Sequence, residues 1–483
     1  MGRSHVGIDI GGTFTDLVVR DEGSGALSAH KVPSRPQNFI EGVMEALAKS
    51  GLAAESIDLL KHGSTIATNA IIERRGARTG LLTTQGMRAV LEAARATRAD
   101  IADLAWSPSP PLVPRRHILE ATERIDYEGT SLTPLDEDSV KEAGRIFRRR
   151  EMEAIAVVFL NSFMNPAHEL RAKAILQEIC PDAFVCCSYE VLPEMREFER
   201  TSTTVASAYL GPIVDRYLDE LISRFREWGY QREVLVIHSA GGLMTCQAAR
   251  RMPARICQSG PAGGVQGAIL VGKAAGFDNL ITLDMGGTSA DLSLVHQGAP
   301  LLTNAYAVEF NIPISLPVVD VKAIGAGGGS IAWIDPAGIL KSGPQSAGAQ
   351  PGPACYGAGG AEPTNTDANL VLGRLNPGTF LGGEQTIRPD LARRVIETKV
   401  GKHFGMSVEE AAEAILRVSN ANMVNGIRLI SVQRGYDPRD FLLVAFGGAG
   451  PLHAVDLARE LNIPQVLIPP LPGVTSALGI LAT

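Results

Sequence analysis

Asp9-Ile-Gly-Gly-Thr-Phe-Thr-Asp-Leu17 and Asp284-Met-Gly-Gly-Thr-Ser-Ala-Asp-Leu292 are one pattern used twice, identical at six of nine positions and 275 residues apart. A duplication in one register predicts two similar halves that face a common ligand. Each copy follows an apolar run, Val6 to Ile8 and Leu280 to Leu283, and leads into an alternating one, Leu17 to Val19 and Leu292 to Val295. Each therefore reads as strand, tight turn, strand. A Gly-Gly-Thr tip lets backbone N–H groups approach an anion without interference from a Cβ, and successive amides in such a turn form an anion-holding concavity. The candidate contacts are Gly11, Gly12, Thr13 and Thr15 in the first copy and Gly286, Gly287 and Thr288 in the second. The aspartate that ends each preceding strand sets a carboxylate beside that anion, which repels it unless a cation such as Mg²⁺ lies between. Asp9 and Asp284 are thus the candidate metal-side and catalytic carboxylates. One such motif alone would read equally well as an ordinary hairpin with a glycine turn. The repetition is what argues for a ligand.

Four more segments share this glycine-rich, small-polar character: His62-Gly-Ser-Thr-Ile-Ala-Thr-Asn-Ala70, Ser259-Gly-Pro-Ala-Gly-Gly264, Gly325-Ala-Gly-Gly-Gly-Ser330 and Phe446-Gly-Gly-Ala-Gly-Pro-Leu-His453. The last follows a buried-type strand, Phe441 to Phe446, and Pro451 suits the first position of a helix over Leu452 to Leu461. A glycine turn at a helix N-terminus can face an anion or a nucleotide, and it can equally be a plain strand-to-helix connection.

Asp9 to Asp16 and Asp284 to Asp291 resemble the two phosphate loops of the sugar kinase, Hsp70 and actin superfamily. The four further segments resemble the hydantoinase A / oxoprolinase family, in that family's order and across essentially the whole chain. The resemblance implies an α/β fold with duplicated actin/Hsp70/sugar-kinase-like (ribonuclease H-like) domains and an interdomain nucleotide cleft. It implies ATP and Mg²⁺ (or Mn²⁺) as cofactors, with Gly327, Gly328, Gly447, Gly448 and Gly450 among the nucleotide contacts and Gly447 and Gly448 beside adenosine. It also implies the ATP-binding subunit of an ATP-dependent cyclic amide hydrolase of the hydantoinase, N-methylhydantoinase or 5-oxoprolinase type. Such an enzyme phosphorylates a lactam or cyclic ureide carbonyl before ring opening, with a hydantoinase B-type subunit as partner. An ATP-dependent ketone carboxylase of the acetone or acetophenone type, or a small-molecule kinase of the same superfamily, would use the same phosphate hairpins. Nothing in the sequence marks the self-assembly surface of a filament or the peptide-binding domain of a chaperone. His62 precedes a Gly-Ser-Thr turn and has a side chain suited to proton transfer, so it is the candidate catalytic base. A hydrogen-bonded structural histidine is the competing reading. Ser64 stands where the family more often has threonine, and His453 is a weaker candidate.

At 483 residues the length predicts roughly three domains. The 45% hydrophobic content is ample for real cores, and the net charge of −7 gives no basic excess for a nucleic-acid partner. The Arg-rich runs Arg148 to Arg150 and Arg250 to Arg251 read as solvated helix faces. No apolar stretch approaches the roughly 20 residues of a membrane helix. The first strand begins by Val6, which leaves no room for a signal peptide, so a cytoplasmic protein is expected. Six cysteines without CxxC spacing argue against a zinc ribbon and for reduced, mostly buried thiols. Cys355 stands apart because Gln350-Pro-Gly-Pro-Ala-Cys-Tyr356 reads as a surface loop.

The expected organisation is an N-terminal domain over residues 1–238, with a core to residue 100 and a further α/β region over 101–238. Residues 239–483 form the hydantoinase A domain, with the second phosphate loop and the adenosine-type motif. The family's C-terminal domain is expected to be absent. Helices are expected over Asn38 to Lys49, Asp136 to Arg149, Pro166 to Ile179 and Ser407 to Val432, with strands at Gly80 to Thr83, Ala154 to Leu160 and Phe184 to Ser188. Thr203 to Trp228 reads as a helix interrupted at Gly211-Pro212. Gly267 to Ala274 nearly spells a P-loop, but its interior is an apolar helical face and no strand directly precedes it. Asp320 and Asp367 adjoin small-residue loops and are open to a site role, although Asp367 also suits the cap of a helix over Ala368 to Leu375.

Overall fold

The computed structural model describes residues 3–12, 14–35, 38–98, 101–103, 105–378 and 386–483. Thr13, one of the candidate phosphate contacts, lies outside the described residues. Two compact units exchange segments along the chain. One is built mainly from Leu52–Ala262 and Leu302–Val318, the other from His5–Gly51, Gly263–Leu301 and Val319–Thr483. Both glycine hairpins therefore belong to the second unit, whereas the division at residues 238 and 239 follows the order of the chain.

In the second unit the apolar runs that flank each motif become buried strands. Ser4–Ile10 and Phe14–Asp21 form the first hairpin, and Leu27–Pro33 adds to it antiparallel with Asp16 opposite Lys31. Val6, Ile8, Ile10, Leu17 and Val18 lose all solvent contact. The helix Phe39–Ser50 starts where the Asn38 side chain accepts the Glu41 N–H and stops at Gly51, whose φ of +68° suits glycine. Leu280–Met285 and Ala290–His296 form the second hairpin, pairing Leu283 with Leu292 and Asp284 with Asp291. Leu442–Phe446 joins it in parallel, and Val321–Ile324 covers its other edge. The helix Val408–Ile430, opened by a capping box of Ser407 and Glu410, packs Met423, Val424, Ile427 and Ile430 into the core with Leu283, Leu292 and Leu443. Burial of this stripe, several side chains at about 1.5–3 kcal/mol each, is what holds the helix to the hairpin.

The first unit carries a parallel sheet of four strands in the order Phe184–Cys187, Ala154–Val158, Thr79–Thr84, Ile118–Ala121. Its core contains Phe147 from the helix Glu137–Arg149 and Leu176 from the helix Ala167–Ile179. The break expected at Gly211-Pro212 does not occur, because Glu197–Trp228 is one helix of 32 residues. A Cβ at Gly211 would come within 2.5 Å of the Phe184 ring, so glycine lets the helix press on the sheet. The surrounding burial from Val205 to Leu210 and at Val214 outweighs the one hydrogen bond that Pro212 forgoes.

Candidate functional site

The duplicated motifs adopt the same turn. Gly11 N–H donates to the Phe14 carbonyl at 2.9 Å, and Gly286 N–H donates to the Ser289 carbonyl at 3.1 Å, the same two positions of each copy. No atom lies within 4 Å of where a Cβ would stand on Gly12, Gly286 or Gly287, so both tips are open. The first tip is braced from behind. Ser34 Oγ donates to the Gly11 carbonyl at 2.7 Å and lies 3.2 Å from Thr15 Oγ1. Thr15 was expected among the phosphate contacts, but strand alternation turns its buried side chain towards Gly42 of the following helix and away from the tip. Its role is to hold the serine that holds the turn.

Four carboxylates gather behind the tips: Asp9, Asp16, Asp284 and Asp291. Burial, with Asp16 as a like-charged neighbour and Lys31 opposing, raises Asp9 to about 7. Burial and then Asp291, Asp9 and Asp16 raise Asp284 to about 7, and burial raises Asp291 to about 6. Asp16 is raised by burial and relieved by Lys31, whose Nζ sits 2.6 Å from its carboxylate and 2.9 Å from the Gly473 carbonyl. One ammonium among four carboxylates leaves negative charge uncompensated. Asp9 Oδ1 is buried and accepts no hydrogen bond. Asp16, Asp291 and Lys31 were not singled out from the sequence. The aspartates were legible as the eighth position of the repeat, whereas Lys31 emerges only from the strand register.

A third glycine segment is locked onto the second tip. Gly328 N–H donates to Gly286 O at 3.0 Å and Gly329 N–H to Gly287 O at 2.7 Å. A Cβ on Gly327 would fall 2.5 Å from the Thr288 backbone, so glycine is required there for contact. Asn365 Nδ2 donates to Gly327 O at 2.8 Å and Thr366 Oγ1 to Gly328 O at 2.9 Å, which fixes the segment from below. Gly447 has φ +79°, and a Cβ on it would meet Asp284 Oδ1 at 2.5 Å, so this turn packs directly on the carboxylate. Gly450 packs on the Leu283 carbonyl, while Gly448 is open. The site thus brings together Asp9, Asp284, Gly11, Gly12, Gly286, Gly287, Thr288, Gly327, Gly328, Gly447, Gly448 and Gly450 in one unit.

His62 is not among them. It belongs to the first unit, on the strand Ile57–Ser64, is fully buried, and has Nε2 2.6 Å from Tyr217 Oη. Burial depresses it to about 4, so the ring is neutral at physiological pH. This is the setting of a hydrogen-bonded core histidine, not of a base open to a substrate. The two motifs near it do meet: Ser259 Oγ donates to the Ser64 carbonyl at 2.7 Å and receives the Ser64 N–H at 3.1 Å.

The remaining candidates are structural. Cys355 lies in a buried turn instead of on the surface, and burial followed by the nearby Asp367 pushes its thiol far up, away from nucleophilic use. The helix expected from Ala368 runs over Asn365–Val371 with Thr364 as its cap, and Asp367 is the third residue of a capping box. Asp367 accepts the N–H groups of Ala354, Cys355 and Thr364 and the Thr364 hydroxyl. Asp367→Ala strands these donors in a buried place and should cost on the order of 3 kcal/mol or more in urea unfolding; a loss below about 1 kcal/mol would contradict the hub. Asp320 pairs with Arg434, and His453 is buried with Nδ1 2.7 Å from Asn420 Oδ1. The near P-loop lies inside the helix Ser259–Ala274.

Residues 5–180 match the N-terminal region of the hydantoinase/oxoprolinase family and residues 200–483 match hydantoinase/oxoprolinase itself. The caprolactamase subunit alpha of Pseudomonas jessenii is 41% identical over 98% of this chain and 69% of its own length. The crystal structure of the ATP-dependent caprolactamase from that organism superposes with a TM-score of 0.88 at 40% identity, covering 99% of this chain and 70% of the other. Nucleotide-free acetone carboxylase superposes with a TM-score of 0.85 at 30% identity, covering 100% of this chain and 71% of the other. The 5-oxoprolinase 1 of Arabidopsis thaliana is 32% identical over 99% of this chain and 41% of its own length. The fold is accordingly the duplicated α/β type of the sugar kinase, Hsp70 and actin class, and the chain belongs to the hydantoinase/oxoprolinase family.

Proposed function

We propose that this chain is the nucleotide-binding subunit of an ATP-dependent enzyme that activates the carbonyl of a cyclic amide for hydrolysis. The observation that carries the reading is the pair of equivalent open tips, backed in the same unit by four carboxylates. Backbone amides at Gly12 and Gly287 are disposed to receive phosphate oxygens, Gly286 leaves its tip open with its own N–H closing the turn, and Gly448 leaves room beside them for the nucleoside. The orphaned Asp9 Oδ1 and the surplus of carboxylates over Lys31 fit a divalent cation, Mg²⁺ or Mn²⁺. Among the described residues no three His, Cys, Asp or Glu side chains make a metal site alone, so Asp9 and Asp284 would share the ion with phosphate oxygens and water. Bound there, the cation would neutralise charge on the transferring phosphoryl group. The protein's own contribution is position and charge: the tips hold the phosphates in line with the acceptor while Lys31 and the braced turns keep the carboxylates in place.

The acceptor in this reading is the oxygen of a lactam or cyclic ureide, which takes the γ-phosphoryl group. Amide resonance is thereby lost and water can open the ring. The caprolactamase relative is itself a subunit alpha, which supports a partner, and we propose that this partner is of the hydantoinase B type and completes the ring-opening site. Among the described residues no helix is long and apolar enough to cross a membrane. ATP hydrolysis should be measured against hydantoins, 5-oxoproline, lactams and aryl ketones, with and without a B-type subunit. Stimulation by cyclic amides alone supports the proposal. Bicarbonate-dependent stimulation by ketones would replace it with a carboxylase, and a stable phosphorylated product with a kinase.

A further inference from the structure

The four-stranded parallel sheet of the first unit reverses its winding beside Thr79–Thr84. From there the chain places Ile118–Ala121 on one side and, later, Ala154–Val158 on the other. In open parallel sheets the carboxyl ends of the strands at such a reversal are where ligands bind. Thr84, at the carboxyl end of the central strand, is held there: its Oγ1 accepts the Leu160 N–H at 2.8 Å, so its one hydroxyl proton is directed to Glu123 Oε1. Glu123 has no exposed side-chain surface, and its Oε2 lies 2.9 Å from His168 Nδ1. The other ring nitrogen of His168, Nε2, lies 3.3 Å from Ser131 Oγ. Ser131 is exposed on the short strand Ser131–Thr133, and His168 retains 13% of its side-chain surface. An exposed hydroxyl, a partly open imidazole and a buried carboxylate are therefore strung in the order of a nucleophile, its base and the group that orients the base.

We propose that Ser131, His168 and Glu123 form a second reaction centre, separate from the glycine hairpins, that transfers acyl groups from esters or activated amides to water. With Thr84 donating to Oε1, Oε2 of Glu123 is the acceptor for Nδ1–H. That tautomer leaves the Nε2 lone pair facing the serine. Ser131 Oγ attacks the acyl carbon as its proton passes to Nε2. The tetrahedral intermediate collapses, and the leaving alkoxide or amine takes that proton, giving an acyl-serine. Water then attacks the acyl-serine, losing a proton to Nε2, and the carboxylic acid departs as the proton returns to Ser131. Ser131 and His168 are the catalytic residues, while Glu123 and Thr84 are positioning residues that fix the ring. Tyr127 and Met164 are exposed beside the hairpin, Met164 packing against the turn at Gly129, and offer apolar surface to an acyl chain.

The purified full chain should be treated with a fluorophosphonate and mapped by mass spectrometry, and its hydrolysis of p-nitrophenyl acetate and butyrate followed. The expected result is labelling of Ser131 in the unsubstituted chain, abolished by Ser131→Ala, a surface change that leaves the melting temperature unaltered. His168→Gln should lower ester hydrolysis by about 10²–10⁴-fold. Glu123→Gln offers an N–H in place of the acceptor for Nδ1, so it should slow the reaction and alter its pH profile even where the fold persists. Hydrolysis that survives Ser131→Ala, or a fluorophosphonate label that falls elsewhere or nowhere, would overturn the proposal and leave a buried Glu–His pair with a bystander hydroxyl.

Discussion

Asp9→Asn and Asp284→Asn should each lower ATP turnover by on the order of 10²-fold or more while leaving the chain folded. The second half of that statement follows from the electrostatics. Both carboxyls sit at about 7, well above an exposed aspartate, chiefly because burial disfavours the charged form. The unfolded chain releases these protons near pH 4 and the folded chain only near pH 7. The stability they allow is therefore complete below the lower value and lost as pH rises through the upper one. Asparagine removes the charge and with it that loss. Each variant should accordingly melt at or above the unsubstituted chain at pH 8 without divalent metal, and the advantage should vanish at pH 4. Divalent cation should raise the melting temperature of the unsubstituted chain at pH 8 more than that of either variant. Unchanged turnover in both variants would remove these residues from the site. Lost turnover with a collapsed melting temperature would reduce them to structural groups.

What the sequence made legible is uneven, and the pattern has physical causes. The hairpins were visible because period-two burial and a glycine tip are local facts, and the same turn hydrogen bond recurs at Gly11 and Gly286. The helix ends were visible where caps announce them, as at Asn38 and Ser407. Side-chain direction was not. Thr15 and Phe14 are neighbours, yet alternation sends one towards the helix behind the tip and the other beneath the Lys31 ammonium. The long helix over Glu197–Trp228 defeated a rule that holds for solvated helices, because packing on Phe184 outweighs a proline. Cys355 is buried against expectation for a related reason, whereas Asp367 takes the capping role that its position also suited. A Gly/Pro-rich segment reads as surface, and only long-range hydrogen bonds to Asp367 show that this one is folded inward. Lys31, Asn365 and Thr366 carry no motif and become visible only once their partners are in place.

Gly12→Val and Gly287→Val should each weaken ADP binding by at least about tenfold, a change of 1.4 kcal/mol or more, without unfolding the chain. Neither glycine has a left-handed φ, and nothing stands within 4 Å of a Cβ at either, so the protein itself tolerates the side chain. The space it fills is the space outside the tip, where a phosphate must come close to backbone amides. Gly327→Ala provides the contrast. Its Cβ would press to 2.5 Å from the Thr288 backbone, which cannot yield without parting Gly328 and Gly329 from the second tip, so this variant should lose stability first and binding as a consequence. The two classes separate in one experiment, calorimetric titration of ADP alongside thermal melting. If the repeat is only a structural hairpin, the valine variants bind ADP as the unsubstituted chain does. If its glycines serve the fold, they melt early, as Gly327→Ala should. Only an open cradle gives normal melting with weakened binding in both copies, and the open tips at Gly12 and Gly287 demand that result from each half of the duplication.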